Sequence, residues 1–324
     1  MLLERGNSTE TVAGFCGTPM QAAAYGGYLG IVQCLMDHGA DIDALSRYYG
    51  NTLQAAAYRG HTEVVQTLLD FGCELKNTPA SGYYGTALQA AAIGGRKEEV
   101  QLLIEYAVDM KAQRAAFGSA LIGAAQGGHT DVVQMLLENG AIVSTHEPTH
   151  QSTALFAAAA CGHSEVVNML LGMGADPNAE GGEYESPLEA AAHGRHEKVS
   201  RLLLQNGACT DPKKPSGPDT AESALHLAVQ GGHDAVASLL LDWRSVNPSS
   251  KDDTGIISLM NAAYRGDDSI MQLLLDKGAN IRAIALFGST ALMMAAEGGH
   301  EPAVHLLLTY GADLASTNQS ERHL

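Results

Sequence analysis

A histidine-rich segment offers the first candidate for chemistry in this sequence. His146-Glu147-Pro148-Thr149-His150 has the spacing of the H-E-x-x-H motif of zinc-dependent hydrolases. That chemistry needs both histidines on one face of a helix, with the glutamate as general base. Pro148 stands inside the motif, and a helix interior excludes proline because it lacks an N–H and its ring clashes with the preceding turn. We expect a histidine-rich loop here and keep a zinc hydrolase using the His146 loop as the alternative.

A second set of histidines recurs at a regular interval, each directly after a glycine or an arginine. Its members are His61, His129, His163, His196, His233 and His300. Because they are one or two intervals apart, we expect a ladder of hydrogen bonds between helix starts and neighbouring loops, and no common metal. The sequence also has no G-x-S-x-G motif and no glycine-rich phosphate loop. We therefore expect a protein that is not an enzyme, with no catalytic residue, no metal and no cofactor.

The interval that spaces these histidines belongs to a repeat. The pattern of the stretch 50–72, GNTLQAAAYRGHTEVVQTLLDFG, occurs nine times with steps of 33 to 37 residues. A fixed period near 33 predicts a solenoid in which each unit packs only on its neighbours. One apolar residue marks each unit, at Met20, Leu53, Leu88, Leu121, Leu155, Leu188, Leu225, Leu259 and Leu292.

Each unit predicts two helices joined by a short turn. Thr18-Pro19 and Ser186-Pro187 begin a first helix, since proline is tolerated in the first turn. An alanine block follows and favours helix. The second helix carries V-V-x-x-L-L, as in Val64, Val65, Leu68 and Leu69, which makes one buried face. A glycine then ends that helix in the left-handed region.

The unit boundaries predict the organisation of the chain. Residues 1–16 are predicted to be a partial N-terminal repeat, because Leu2-Leu3-Glu4-Arg5-Gly6 resembles the end of a unit. Nine repeats are expected over 17–315, and 316–324 is expected to be a disordered tail. A loop insertion at 211–220 (DPKKPSGPDT) is either a protrusion or a hinge. Ala107 and Arg244 replace the terminal glycine, so those two helix ends should differ in shape.

Composition excludes several function classes. The formal charge of −17 argues against nucleic-acid binding and against an anionic membrane surface, but is compatible with a basic partner. The five cysteines are far apart and lack C-x-x-C pairing, which indicates reduced thiols. No apolar run approaches the ~18 residues of a membrane helix. We expect an intracellular protein of the cytoplasm, the nucleus or both.

The repeated motif resembles the ankyrin repeat. The family pattern T-P-L-H-x-A-A, G-H, V-x-x-L-L and G-A-D is matched by TPMQAA and GADI in the first unit and by SALHLAVQGGH in the seventh. The histidine after the marker residue survives only as His226, and is Gln21, Gln54 and Gln89 in the first three units. The sequence A-L-Q-A-A after Tyr-Tyr-Gly is similar to that of fungal ankyrin arrays, which often follow a nucleotide-binding signalling domain.

The resemblance implies an all-α ankyrin solenoid of helix-turn-helix units with connecting β-hairpin loops. It implies a non-catalytic scaffold that binds a protein partner through a concave face lined by hairpin tips and first-helix ends. The alternative is a regulatory protein, either a transcription co-regulator or the sensing arm of a larger signalling protein. Placed on this chain, the partner-binding tips are Tyr48, Tyr49, Tyr83, Tyr84, Phe117 and Tyr184. The helix-end positions are Tyr25, Tyr58, Arg59, Tyr264 and Arg265.

Tyrosine and arginine are the residue types of binding hot spots, since they combine contact area with polar groups. The other interpretation is that the tip aromatics stack on one another and stiffen the hairpins. We expect Tyr58 to be largely exposed. Tyr28, Tyr106 and Tyr310 stand elsewhere in their units and are predicted to be structural.

Overall fold

The protein is all-α, as predicted. The computed structural model describes residues 17–46, 50–73, 86–106, 114–144, 153–181, 184, 186–210, 223–243, 246–251 and 256–314. Within these ranges eighteen α-helices follow one another as nine helix-turn-helix pairs, and no strand is present. The predicted partial repeat at 1–16 and tail at 316–324 lie outside the described residues, as do the insertion at 211–220 and the HEPTH segment.

The first helix of each pair carries the alanine block. These helices are α1 Pro19–Gly26, α3 Thr52–Arg59, α5 Ala87–Ile93, α7 Arg114–Gly127, α9 Ala154–Ala160, α11 Pro187–His193, α13 Ala224–Gln230, α15 Ser258–Arg265 and α17 Ala291–Glu297. A single 3₁₀ turn, Leu286–Gly288, precedes α17 in the described ranges.

The second helix of each pair carries the V-V-x-x-L-L stripe or its equivalent. These helices are α2 Leu29–Asp37, α4 Thr62–Asp70, α6 Lys97–Tyr106, α8 Thr130–Glu138, α10 Ser164–Gly172, α12 Glu197–Gln205, α14 Asp234–Asp242, α16 Asp268–Asp276 and α18 Glu301–Thr309.

The chain divides into two compact units. The first comprises 1–158 with 168–175, and the second comprises 159–167 with 176–324. The division falls within α9 and α10. It does not coincide with the insertion at 211–220.

Polar caps begin the first helices. Thr18 accepts from the backbone N–H of Gln21 (3.2 Å), and the Gln21 side chain accepts from the backbone N–H of Thr18 (3.0 Å). The same reciprocal capping box is present at Asn51/Gln54, Thr86/Gln89 and Ser186/Glu189. It satisfies two backbone donors that a helix start leaves open. The three glutamines and Glu189, which replace the family histidine in their units, are therefore capping residues.

The core follows the predicted stripes. Val65 and Leu68 are fully buried, and so is the alanine block Ala55–Ala57. Alanine lets the first helices of adjacent pairs approach closely. One position breaks the pattern: Glu99, which takes the place of Val64 in the next unit, is buried and accepts a hydrogen bond from the Thr62 hydroxyl. That bond provides the partner that a buried polar group requires.

The second helices end as expected. Seven second helices are followed by a glycine with positive φ, for example 90° at Gly72 and Gly140. Ala107 and Arg244 lie outside the described residues, but Trp243, which precedes Arg244, is extended (φ −78°, ψ 132°). The other described residues at this position have ψ between about −3° and 14°. The end of α14 therefore differs in shape, as predicted.

The hairpin loops are represented by two isolated antiparallel bridges in the described residues, Ser46–Gly50 and Lys251–Ile257. Each lies directly before a first helix. The other connecting loops, which the resemblance predicts to be hairpins, lie partly outside the described part of the chain.

Candidate protein-binding surface

A histidine ladder joins successive pairs at the turns between first and second helices. Nε2 of His61 donates to the carbonyl oxygen of Tyr25 (2.9 Å), and His129 makes the same bond to Ile93 (3.0 Å). The remaining described rungs are His196 to Ala160 (3.1 Å), His233 to His193 (2.9 Å) and His300 to Tyr264 (3.0 Å). Each acceptor is the last residue, or the last but one, of the first helix in the preceding pair. The predicted ladder of hydrogen bonds is present for these histidines, but its acceptors lie at the ends of first helices and not in loops.

Arginine provides two further rungs. Arg96 stands where the histidine would be, and its Nε donates to the carbonyl oxygen of Tyr58 (3.1 Å). In the eighth pair that position is Asp267, which has no N–H donor in its side chain. Arg265 replaces the histidine there, donating from Nη1 to the carbonyl oxygen of Gln230 (3.2 Å) and from Nε to Asp267 (3.2 Å). In the sequence, the absence of histidine at 96 and 267 is the signal that an arginine makes this hydrogen bond in these two pairs.

Tyr25 and Arg59, both predicted to bind a partner, are in contact. The guanidinium carbon of Arg59 lies over the Tyr25 ring, 4.8 Å from its centroid, in a cation–π arrangement. Tyr25 is half-buried and Arg59 is exposed. The two residues end the first helices of adjacent pairs, so the contact lies within the first compact unit. It presents an aromatic ring and an exposed cation together.

Tyr58 corrects an expectation. It is half-buried, whereas the sequence predicted a largely exposed side chain. The third pair covers this helix end: Arg96 reaches the Tyr58 carbonyl, and a Cβ placed on Gly94 would lie 2.4 Å from that oxygen. Tyr264, at the equivalent position of the eighth pair, is 55% exposed and fits the expectation better.

Phe117 is also placed differently from the prediction. It was assigned to a hairpin tip, but its backbone lies within α7, which begins at Arg114 and has fourteen residues. Arginine and alanine at 114–116 favour helix, which explains the early start. The Phe117 side chain lies outside the described part.

The predicted tips are described only in part. Tyr48, Tyr49, Tyr83 and Tyr84 lie outside the described residues. The Tyr184 ring packs on the His193 ring with centroids 4.7 Å apart. A predicted tip therefore packs on the last residue of α11 in the second unit.

Two of the tyrosines expected to be structural form matched contacts on the second helices. Tyr106 donates to Asp70 and accepts from Gln66. Tyr310 donates to Asp276 (2.6 Å) and accepts from Gln272. The hydrogen bond to the carboxylate favours the neutral phenol and raises the pKa of both tyrosines above the ordinary value of 10.0. The hydroxyls hold adjacent pairs together, as predicted.

Among the described residues, no group of three or more His, Cys, Asp or Glu side chains could hold a metal ion. The four cysteines of the described ranges form no disulfide. No helix in those ranges has the length and apolar character to span a membrane. The surface can supply contact area, a stacked cation and hydrogen-bond donors, which are the components of a binding interface.

Comparison with known proteins agrees with this architecture. The family model described as ankyrin repeats (3 copies) matches residues 1–79, 19–114, 53–147, 88–181 and 225–318. The matches leave out 182–224, yet α11 and α12 form a complete pair there.

Two relatives share part of the chain. The ankyrin repeat and KH domain-containing protein mask of Drosophila melanogaster is 41% identical over 99 residues, which is 30% of this chain and 2% of that protein. The transient receptor potential cation channel subfamily A member 1 homolog of Caenorhabditis elegans is 27% identical over 139 residues, 43% of this chain and 11% of that protein. The chain thus matches only a small part of either relative's length.

Two solved structures share the fold. The ankyrin repeat domain of Bcl-3, described as a unique member of the IkappaB protein family, is 28% identical with a TM-score of 0.51, covering 61% of this chain and 88% of that one. The human ASB11 ankyrin repeat domain is 23% identical with a TM-score of 0.55, covering 81% and 99% respectively. Family model, relatives and fold agree: this chain belongs to the ankyrin repeat family.

Proposed function

We propose that this chain is a non-catalytic scaffold that binds a protein partner through the face formed by its hairpin tips and first-helix ends. Ankyrin repeat domains are in general protein–protein interaction modules, and this proposal adds the face. The observation that carries it is the stack of Arg59 on Tyr25, 4.8 Å from the ring centroid. His61 already supplies the hydrogen bond between these two pairs, so the exposed guanidinium is available for a partner.

Residue types on this face support the same proposal. Tyrosine and arginine are enriched in the few interface residues that dominate binding energy. Tyr264 is exposed at the end of α15, and Tyr184 stacks on His193. The predicted tip residues Tyr48, Tyr49, Tyr83 and Tyr84 complete the proposed surface.

The overall charge supports a statement about the partner. With 36 acidic against 19 basic residues, the field of the chain attracts a basic or mixed-charge segment and raises its association rate. We expect no direct contact with nucleic acid, whose phosphates the same field repels. The proposed location is intracellular, in the cytoplasm, the nucleus or both.

A regulatory role is the second candidate. The similarity to Bcl-3, at 28% identity and a TM-score of 0.51, favours it, because that protein is described as a member of the IkappaB family. This chain would then act as a transcription co-regulator or as the sensing arm of a larger signalling protein. Nuclear accumulation of the tagged chain would favour the first of these, and retention in the cytosol the second.

An enzyme remains the third candidate, in the form of a zinc hydrolase using His146, Glu147 and His150. Ankyrin repeat proteins are typically non-catalytic, and Pro148 opposes the helix that this chemistry needs. Metal analysis of the purified chain separates this candidate from the binding roles. A stoichiometric zinc ion that is lost in the His146→Ala variant would support the hydrolase.

The binding proposal is tested by affinity capture with matched variants. Partners recovered by the wild-type chain should be lost when Tyr48, Tyr49, Tyr83 and Tyr84 are replaced by alanine. Phe71→Ala is the control, because Phe71 is 65% exposed but ends a second helix, away from the proposed face. Melting temperatures establish that each variant is folded. Equal loss in both variants, or recovery by the tyrosine variant, would contradict the proposed face.

A further inference from the structure

Two identical tripeptides in this chain have different roles. Tyr58-Arg59-Gly60 and Tyr264-Arg265-Gly266 both follow Ala-Ala and end a first helix. Arg265 is committed to the fold, since it donates to the carbonyl oxygen of Gln230 and forms an ion pair with Asp267. Arg59 does not make the corresponding hydrogen bond to the preceding pair, because His61 makes it. Arg59 is therefore not needed for the hydrogen bond that joins these two pairs.

The arrangement of Arg59 leaves its donors accessible. The guanidinium lies over the Tyr25 ring, and the side chain is exposed. Stacking uses the flat face of the guanidinium and leaves the N–H groups at its edge available for a planar acceptor. No carboxylate in the described residues pairs with it, whereas Arg201, Arg265 and Lys277 each have an acidic partner.

A second cation, Arg96, lies at the turn that follows Arg59. Gly60 has φ +81°, and a Cβ at that position would lie 2.7 Å from Cδ of Arg96. The absence of a side chain at Gly60 therefore lets the Arg96 side chain lie across this turn. The bond from Nε to the Tyr58 carbonyl uses one of its donors and leaves the terminal N–H groups. Arg96 has no ion pair with any described residue.

A third cation follows in the chain. Lys97 is exposed and is the first residue of α6. The other second helices begin with Leu, Thr, Ser, Asp or Glu at this position. A cation there is unfavourable for the helix, because the N-terminal end of a helix is the positive end of its dipole. A locally unfavourable choice of this kind is expected where function determines the residue.

We propose that Arg59, Arg96 and Lys97 form a carboxylate-binding site, here called the cationic turn, for an acidic segment of a protein partner. This deepens the proposed function and rests on it. Two exposed acids, Glu63 and Glu98, are the second residues of α4 and α6. Because they lie close to the three cations in the chain, the positive area of the cationic turn is small. Paired guanidinium groups recognise carboxylates by bidentate hydrogen bonds. Tyr25 and Tyr58 supply apolar contact beside them.

The charge of the rest of the chain limits which acidic segments of a partner could bind here. A net charge of −17 repels a uniformly acidic chain at longer range. The segment that fits has aspartate or glutamate side chains at the cationic turn, flanked by neutral or basic residues. Such a segment is the mixed-charge partner of the proposed function. Its acidic side chains would bind at the cationic turn.

The test is a selection of phage-displayed random peptides on the immobilised full chain, followed by fluorescence anisotropy of the selected peptides. We expect enrichment of peptides with an acidic centre. Arg59→Gln should weaken their binding by about tenfold, and Arg59→Glu should weaken it more, since removal of a central charged contact typically has at least this effect. Lys198→Gln is the control: it removes an exposed cation from the second unit and should leave affinity unchanged.

The possible outcomes separate the two proposals. Selected peptides that are basic, or that bind wild type and Arg59→Glu equally, would overturn the cationic turn and leave the binding function in place. A selection that enriches no peptide would contradict the proposed function and the cationic turn with it. Melting curves of the Arg59 variants should match wild type, because His61 maintains the contact between the pairs.

Discussion

The side-chain amide of Gln21 donates to the carbonyl oxygen of Gly50 at 2.8 Å, and so ties the first pair to the start of the second. The same amide donates to the carbonyl oxygen of Ala44 (2.7 Å). In the seventh pair His226 occupies this position, and its Nε2 donates to the carbonyl oxygen of Ile256 (3.0 Å), the residue that corresponds to Gly50. Glutamine and histidine thus fill one role in this fold.

We predict that Gln21→Ala lowers the free energy of unfolding by about 1–3 kcal/mol, because it removes a cap and leaves buried backbone groups without a partner. Gln21→His should recover most of that loss by making the bond that His226 makes. Urea denaturation of the three proteins measures both effects. Equal destabilisation by alanine and histidine would show that the two side chains are not equivalent here.

Leu136 tests the register of the second helices. It is fully buried in the stripe of α8. Leu136→Ala should cost about 2–5 kcal/mol through lost burial and the cavity left behind. Leu314→Ala is the matched control, since Leu314 is 79% exposed and should have little effect. An unchanged thermal transition for Leu136→Ala would mean that the stripe is assigned to the wrong residues.

Arg195 is the one described non-glycine residue with positive φ, at 63°. The equivalent residue in the preceding pair is Gly162, at 79°. The left-handed conformation costs a residue with a side chain about 1–2 kcal/mol, while glycine costs about 0.5–1 kcal/mol more entropy on folding. Arg195→Gly should therefore stabilise the second unit slightly. The reverse change, Gly162→Arg, should destabilise it, because a Cβ there lies 2.4 Å from the His196 ring. A lower melting temperature for Arg195→Gly would contradict this reasoning.

The tyrosine contacts predict a dependence on high pH. The pKa of Tyr106 and of Tyr310 is raised in the folded protein. Their stabilising contribution is therefore complete below the ordinary tyrosine pKa near 10 and is lost as pH rises through the folded value. Melting temperatures at pH 8 and above pH 10 should show a smaller decrease in the Tyr106→Phe, Tyr310→Phe double variant than in wild type. An equal decrease would mean that other groups control stability in this range.

The periodic features of the fold were predictable because they rest on local chemistry repeated nine times. Glycine after seven of the second helices, the buried V-V-x-x-L-L stripe and the histidine ladder follow from residue types at fixed spacing. Departures from the period were also visible: Asp267 at a histidine position indicates that another donor is needed. That Arg265 supplies it depends on the three-dimensional reach of the side chain, which spacing does not give.

The candidate surface was predictable only in outline. Tyr25 and Arg59 were both identified, but their stacking was not, because it joins residues 34 positions apart in different pairs. Tyr58 was expected to be exposed, and its burial depends on Arg96 and Gly94 of the next pair. Phe117 was placed in a loop because the unit period was extended to 114–117, where the local sequence favours a longer helix. Contacts between neighbouring helix pairs therefore determine side-chain burial and stacking, which the sequence of a single pair does not predict.

The central claim is that partner binding uses the hairpin tips and first-helix ends. Hydrogen–deuterium exchange of the full chain, with and without a partner recovered by affinity capture, tests it most directly. The account predicts that added protection concentrates at 47–61, 83–97 and the corresponding turns of later pairs. Protection confined to the outer ends of the second helices, around Phe71, Tyr106 and Met173, with none at those turns, would contradict it.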